Sequence, residues 1–342
     1  MASRREFLKV TSGAFVVAAS ASRASAQSAK FTAKIGHLES PTQPRHRGLE
    51  KVAALVKERT KGEVEFKLFP ASQLGNARQM IEGTQFGALE CTVMPAAFLG
   101  GFNPVVSVFD IPFLLPKDPA KANALRTGPF GQFVLDTFTS RGLTAIALWP
   151  NGRKSITSNK PIEKLSEFTG QKFRVMDSRI LIEQFGAVGA SAIAIPFGEL
   201  YTALQTGVVD GEENPLDTIS TMKFYEVQKH LVVSEHGAME DVVLFNPAWW
   251  KSLPEGHRKI IVDAFTEIRP EVEKMKADAQ VAALNTIKSS GKTEIGTLSE
   301  ADAKAWQAAM TPKSEQAFIA RAGGEGQKAI ELYKAELKKL GG

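Results

Sequence analysis

The residue types that carry out chemistry are present in this 342-residue chain, but their spacing matches no established catalytic or metal-binding pattern. The histidines lack the short spacing of metal ligands, and a single cysteine excludes both a disulfide framework and a CxxC site. HExxH, GxSxG and dinucleotide-binding motifs are also missing from the sequence. We therefore expect a binding protein rather than an enzyme, with no metal and no cofactor. The residues in question are His37, His46, Cys91, His230, His236 and His257.

Two further segments resemble known ligand-binding loops, but each lacks a glycine that the loop requires. Gly291-Lys292-Thr293 resembles the end of a phosphate-binding loop, but Thr286 stands where its first glycine is required. An acidic cluster at Asp210, Glu212, Glu213 and Asp217 lacks the central glycine of a calcium loop. We interpret this cluster as a solvated or hinge-side loop.

The elements that must position a binding site follow an alternating pattern in the first part of the chain. Apolar spacing predicts strands at 33–38, 64–68 and 89–94, separated by helices at 47–60 and 76–86. Helices at 119–126 and 130–141 and a strand at 143–149 follow. Pro150-Asn151-Gly152 is predicted as a turn and as the first crossover between two domains.

A second set of α/β elements follows that crossover. Strands are predicted at 155–157, 172–175 and 192–195, with helices at 179–185 and 197–206. Strands at 231–234 and 242–245 bracket a second crossover, and a long helix runs from Pro254 to 289. Helices from Ser299 through 310 and over 327–340 close the chain. The pattern predicts an α/β fold with two domains.

The N-terminus has the order of an export signal. Arg4-Arg5 precedes an apolar run over 10–19, and Ala24-Ser25-Ala26 forms a small-x-small cleavage site. We predict a twin-arginine-like signal peptide over 1–26 and a periplasmic mature protein. Its removal leaves 38 basic and 36 acidic residues, so no basic surface for nucleic acid is expected.

One long segment of the sequence is characteristic of a single protein family. From 195 to 215 the chain reads IPFGELYTALQTGVVDGEENP, and shorter matching segments are GQKFRV at 170–175, FPASQLG at 69–75, Gly36-His37 and KFYEVQK at 223–229. These segments resemble the solute-binding subunits of TRAP transporters, the DctP-like family. The likeness extends over nearly the whole mature chain.

The resemblance implies a type II-like periplasmic binding protein, with two lobes joined by crossover strands and a long bridging helix. Lobe I is expected over 27–151 plus about 240–279, and lobe II over 152–239 plus about 280–342. The implied function is capture of an organic acid, a carboxylate, by hinge closure and its delivery to the TRAP permease in the membrane. A monomer is expected.

The resemblance also implies the site. Arg174 would pair with the ligand carboxylate, Asn214 would hydrogen-bond the ligand, and the Phe197 ring would pack on it. A planar two-donor fork suits a carboxylate, and arginine supplies one where lysine does not. Lys154 stands where the family often has a second arginine, and Arg153 is one residue out of register.

Other roles for these residues remain open from the sequence. Asn214 precedes Pro215 and is a suitable helix cap, Phe197 fits core packing, and Lys154 fits a solvated strand end. His37 follows a strand and either lines the cleft or supports it.

Two other functions stay in competition. One is an exported lyase or isomerase, with His37 or Glu199 as its base. The other is a ligand receptor for a sensor kinase or chemoreceptor.

Overall fold

The computed structural model describes residues 29–341, so the predicted signal peptide lies outside the described residues. Within this range nine strands form one sheet, in the order β2-β1-β3-β8-β4-β7-β5-β6, and β9 pairs with β8. The strands are β1 (Phe31–Gly36), β2 (Val64–Phe69), β3 (Cys91–Pro95), β4 (Thr144–Ser158), β5 (Lys172–Val175), β6 (Ser191–Ala194), β7 (Gly211–Pro215), β8 (His230–Phe245) and β9 (Glu294–Thr297).

Ten α-helices cover this sheet in the described part of the chain, together with several short 3₁₀ turns. The helices are α1 (Pro44–Arg59), α2 (Ala77–Phe86), α3 (Pro119–Thr127), α4 (Pro129–Asp136), α5 (Arg179–Gly186), α6 (Leu200–Gln205), α7 (Leu216–Thr221), α8 (Pro247–Ser252), α9 (Glu255–Ser290) and α10 (Glu300–Lys339). None of them, within residues 29–341, is both long and apolar enough to cross a bilayer.

Two long strands carry the sheet from one lobe to the other. The second half of β8 pairs with β3, whereas its first four residues pair with β9. β4 runs antiparallel to β8 along its length and pairs with β7 from Lys154 onward. We call the side with β1, β2 and β3 lobe I and the side with β5, β6 and β7 lobe II. The mixed α/β, two-lobe architecture predicted from the sequence is thus confirmed.

The predicted turn at Pro150-Asn151-Gly152 is instead a bulge inside β4. The register of β4 against β8 shifts between Pro150 and Gly152, and Gly152 has a φ of 102°. Because a bulge bends a strand without ending it, turn residues can lie within a continuous ladder. The two strands predicted around the second crossover are likewise one strand, β8.

Helix α9 bridges the lobes, as the sequence predicted. It packs against α1 in lobe I and against α7 in lobe II. Helix α10 also contacts both lobes, since it touches α5 as well as α3 and α4. Gly323, with a φ of 60° and a ψ of −140°, kinks α10 between its two halves. The lobe boundaries over the C-terminal segment therefore stay a prediction.

Candidate functional site

The site is built on one face of the sheet in lobe II. Arg174 on β5 pairs with Glu212 on β7, and Asn214 lies two residues further along β7. Ser155 on β4 lies directly opposite Asn214. Since paired residues and residues two apart share a face, these four side chains belong to the same surface. Met176, which follows β5, extends it toward lobe I.

Arg174 is fully buried and only partly hydrogen-bonded. Its Nε donates to the Ile195 carbonyl oxygen at 2.9 Å, whereas Nη1 and Nη2 have no partner among the described residues. Burial lowers the pKa of Arg174 to about 10, and the nearby Glu212 and Glu213 carboxylates partly oppose that shift. A guanidinium with two unused, adjacent nitrogens is a fork suited to a carboxylate.

Glu212 lies beside this arginine and holds the neighbouring amide. Its carboxylate accepts a hydrogen bond from Asn214 Nδ2 at 2.5 Å and one from Thr157 Oγ1 at 2.9 Å. Burial raises the pKa of Glu212 to about 7. Asn214 is left with a second N–H and its carbonyl Oδ1, and it is not a helix cap, because it lies inside β7 with α7 starting at Leu216.

Two cavities lie next to this face. The inner one measures about 20 Å³ and is lined from lobe I and the crossing strands by Leu38, Glu39, Arg45, Pro95, Phe98, Asn151 and Met239, and from lobe II by Met176, Phe197, Asn214 and Thr218. The outer one measures about 240 Å³ and is lined in part by Arg78, Asp177 and Ile195. Phe98 and Phe197 line both, so an aromatic ring from each lobe borders the cleft.

Phe197 sits at the start of the α6 segment and is half-buried. Its ring meets Phe224 edge-on at 6.3 Å, which anchors it to the lobe II core. One side of the ring packs in the core and the residue also lines the cavities, so both roles considered for it from the sequence are compatible with the structure.

Lys154 lies on the opposite face of the sheet from Arg174. It is paired with Pro215, one position away from Asn214, so the alternation of side chains turns it away from the cleft. Its Nζ contacts Glu213 at 2.5 Å, and Glu213 also accepts from His236 and Gln184. Lys154 therefore belongs to a buried ion-pair network and is absent from the lining of the cleft.

Neighbouring residues Arg153 and His37 are also held away from the ligand-facing surface. Arg153 Nη2 donates to the Leu115 and Pro116 carbonyl oxygens, next to a separate cavity of about 250 Å³ behind the crossing strands. His37 is buried against His46, with 3.1 Å between Nε2 and Nδ1, and burial lowers its pKa to about 3. His37 is absent from the lining of both cavities, and its role at the site stays a prediction.

The acidic cluster predicted as a solvated loop is buried instead. Glu212, Glu213 and Asp217 are at most 2 % exposed, because Gly211–Pro215 forms the interior strand β7 and α7 follows it directly. Consecutive charged residues are not typical of a strand, so the sequence pattern did not predict β7. No group of three or more His, Cys, Asp or Glu side chains within residues 29–341 is arranged to hold a metal ion.

Sequence reasoning also missed two residues of lobe I and the crossing strands. Arg45 begins α1 after Pro44, and Asn151 is the bulged residue of β4; both line the inner cavity. Arg45 donates from Nε and Nη2 to Asp241, at 2.6 Å each, and Asn151 Nδ2 donates to the same carboxylate at 2.8 Å. The turn signal around Asn151 was the one available hint.

Comparisons with known proteins place this geometry in context. Residues 35–321 match the DctP model, described as bacterial extracellular solute-binding protein, family 7. The chain is 33% identical over 307 residues to the C4-dicarboxylate-binding periplasmic protein DctP of Rhodobacter capsulatus, covering 89% of this chain and 91% of that protein.

Solved structures agree with the fold. A TRAP periplasmic solute-binding protein from Desulfovibrio salexigens with bound orotic acid is 66% identical, with a TM-score of 0.89 over 90% of this chain and 99% of that one. Another from Shewanella oneidensis with bound succinate is 32% identical, with a TM-score of 0.83 over 90% and 99% of the two chains.

Proposed function

The chain belongs to the DctP family of bacterial extracellular solute-binding proteins, and on that premise we propose that it captures an organic acid between its lobes and delivers it to a TRAP permease. The observation that carries the proposal is the Arg174 fork, with two buried guanidinium nitrogens that have no partner within residues 29–341. A ligand carboxylate supplies the missing acceptor and replaces water with a charge-assisted pair.

The remaining assignments follow from the same geometry. Asn214 hydrogen-bonds the ligand next to its carboxylate, and Phe197 and Phe98 pack against its body. The inner cavity of about 20 Å³ is too small for such a ligand, so the lobes must open about the crossing strands β4 and β8 to admit it. The two lobes, with the boundaries expected from the sequence, are the rigid units of this motion.

The ligand is delivered without chemical change, and the protein is exported by the twin-arginine route. The two bases considered for an enzyme give it no support: His37 is engaged with His46, and Glu199 is exposed at the start of α6. Orotate is the first ligand to examine, since the relative from Desulfovibrio salexigens was solved with it.

Titration calorimetry of the mature protein against orotate, hydroxy acids, sugar acids and dicarboxylates tests the proposal. We expect an organic acid to bind, and Arg174→Ala to weaken that binding by about 10²–10³-fold, since removing one partner of a buried ion pair costs roughly 3–5 kcal/mol. Arg179→Ala is the matched control, because Arg179 is exposed and pairs with Glu183. Equal affinity of both variants would show that Arg174 does not hold the ligand carboxylate.

A further inference from the structure

Glu39 and Arg45, which line the inner cavity from lobe I, belong to a group of buried charged side chains that we call the hinge cluster: Glu39, Arg45, Asp217, Asp241 and Lys276. Arg45 pairs with Asp241, and Lys276 Nζ donates to Glu39 at 2.7 Å and to Asp217 at 2.9 Å. All five residues are at most 4 % exposed. The cluster joins α1, α7, α9 and β8.

The hinge cluster holds no surplus positive charge. Three carboxylates face two cations, so the fully ionised cluster has a net charge of −1, and protonation of one carboxylate brings it to zero. His37, next to it, is neutral near pH 7 because burial holds its pKa at about 3. A second carboxylate of a ligand, placed here and desolvated, finds no net attraction to offset its loss of water.

Two polar atoms on side chains that line the inner cavity lack a partner within the described chain; Asp217 Oδ1 is also unpartnered, but Asp217 is not part of that lining. Arg45 uses Nε and Nη2 for Asp241, and its Nη1 is buried and unbonded within the described chain. Asn151 directs Nδ2 to Asp241, because that carboxylate only accepts, and so its Oδ1 is left as a buried, unbonded acceptor. Arg45 and Asn151 both line the inner cavity.

One unused N–H donor and one unused carbonyl acceptor, on two side chains that both donate to Asp241, complement a group that has a C=O next to an N–H. Amides, imides and ureides have this arrangement and are uncharged. Leaving a buried donor or acceptor unpaired costs about 1–3 kcal/mol, so a ligand that satisfies both is favoured over one that satisfies neither.

We propose that the ligand is a monocarboxylate whose other end is an uncharged amide-like group, which accepts from Arg45 Nη1 and donates to Asn151 Oδ1. The inference rests on the proposed function, because it takes the carboxylate end to be held by Arg174. It also assigns Arg45 and Asn151 as the residues that select against dicarboxylates.

Matched ligand pairs test this proposal on the unmodified mature protein. Succinamate and succinate differ only in an amide against a carboxylate, and 3-carbamoylbenzoate and isophthalate repeat that difference on a ring. Where direct binding is weak, displacement of bound orotate measures the relative affinities of these four ligands. We expect the half-amide of at least one pair to bind about tenfold or more tightly than its dicarboxylate.

The variant Asp241→Asn adds a second arm, since it removes one negative charge from the hinge cluster. We expect the preference for the half-amide to shrink severalfold, while Glu267→Gln, the same change at an exposed pair with Arg59, leaves it unchanged. Should Asp241→Asn fail to fold, the ligand pairs still decide the matter.

The possible outcomes distinguish failure of this inference from failure of the proposed function. Equal or tighter binding of the dicarboxylates overturns the inference and leaves the proposed function standing. Binding of orotate without displacement by either half-amide also overturns it, because an uncharged carbonyl end then does not suffice. If no organic acid of the calorimetric panel binds, the proposed function itself fails.

Discussion

At the scale of single residues, the proposed ligand site is distinguished by polar atoms that the protein itself leaves unpaired. Arg174 Nη1 and Nη2, Ser155 Oγ and Asn151 Oδ1 are all buried without a partner among the described residues. Native proteins pair nearly all such atoms, so these unpaired atoms support the proposed site. All three residues lie on β5 of lobe II or on the crossing strand β4, which gives the proposed ligand a rigid platform.

A pH prediction belongs to this scale, because Glu212 lies beside Arg174 with a pKa raised by burial to about 7. A bound carboxylate adds negative charge next to Glu212 and so favours its protonated form, which means that binding takes up a proton. Affinity should therefore fall as pH rises above about 7, by up to tenfold per pH unit. Calorimetry between pH 6 and 9 measures this slope.

The variant Glu212→Gln is the control for that measurement. It mimics the protonated carboxyl and keeps an acceptor for Thr157, so its affinity should be nearly independent of pH over the same range. A wild-type profile as flat as that of Glu212→Gln would show that Glu212 does not titrate with binding.

How far the residues could be predicted depended on whether their role shows in local pattern. Arg174 is a lone charge between Phe173 and Val175, and the family segment around it names its role; the structure gives it the environment that such a role requires. The roles proposed for Asn151 and Arg45 depend on their bonds to Asp241, which is 90 and 196 positions away in sequence. No local spacing encodes a partner at that distance.

At the scale of elements, periodicity located most helices and strands but not the way in which strands join. Lys172–Val175 was predicted with its observed bounds, and α9 with bounds within one residue. β7 was missed because Glu212, Glu213 and Asn214 are poor strand formers, and tertiary burial overrides that propensity. β4 was divided in two because a bulge has the composition of a turn.

The alternation within β4 yields a prediction for Lys154. Because it faces the Glu213 network rather than the cleft, Lys154→Met should lower the free energy of unfolding by roughly 3–5 kcal/mol while it changes ligand affinity by less than about threefold. Denaturant unfolding and calorimetry on the same sample measure the two effects. A large loss of affinity with unchanged stability would restore the role that the sequence suggested for Lys154.

At the scale of the whole molecule, the described structure has the lobes in contact through bonds that the sequence does not reveal. Ser178, which caps α5 in lobe II, donates from Oγ to Asp110 at 2.7 Å, and Asp110 ends a 3₁₀ segment after β3. The backbone N–H of Phe113 donates to the His236 carbonyl oxygen on β8. If the proposed opening of the lobes breaks these bonds, they set how long a ligand is retained without touching it.

Asp110→Ala should therefore act on release rather than on capture. The closed state loses one hydrogen bond of about 0.5–1.5 kcal/mol, which corresponds to roughly a 2- to 10-fold faster dissociation. The association rate should stay unchanged, because the open lobes meet the ligand before this bond forms. Stopped-flow measurement of both rates tests the claim, with Thr137→Val as control, since its bond with Asn103 lies within lobe I. If Asp110→Ala slows association and leaves dissociation as in the wild type, the bond is not part of closure.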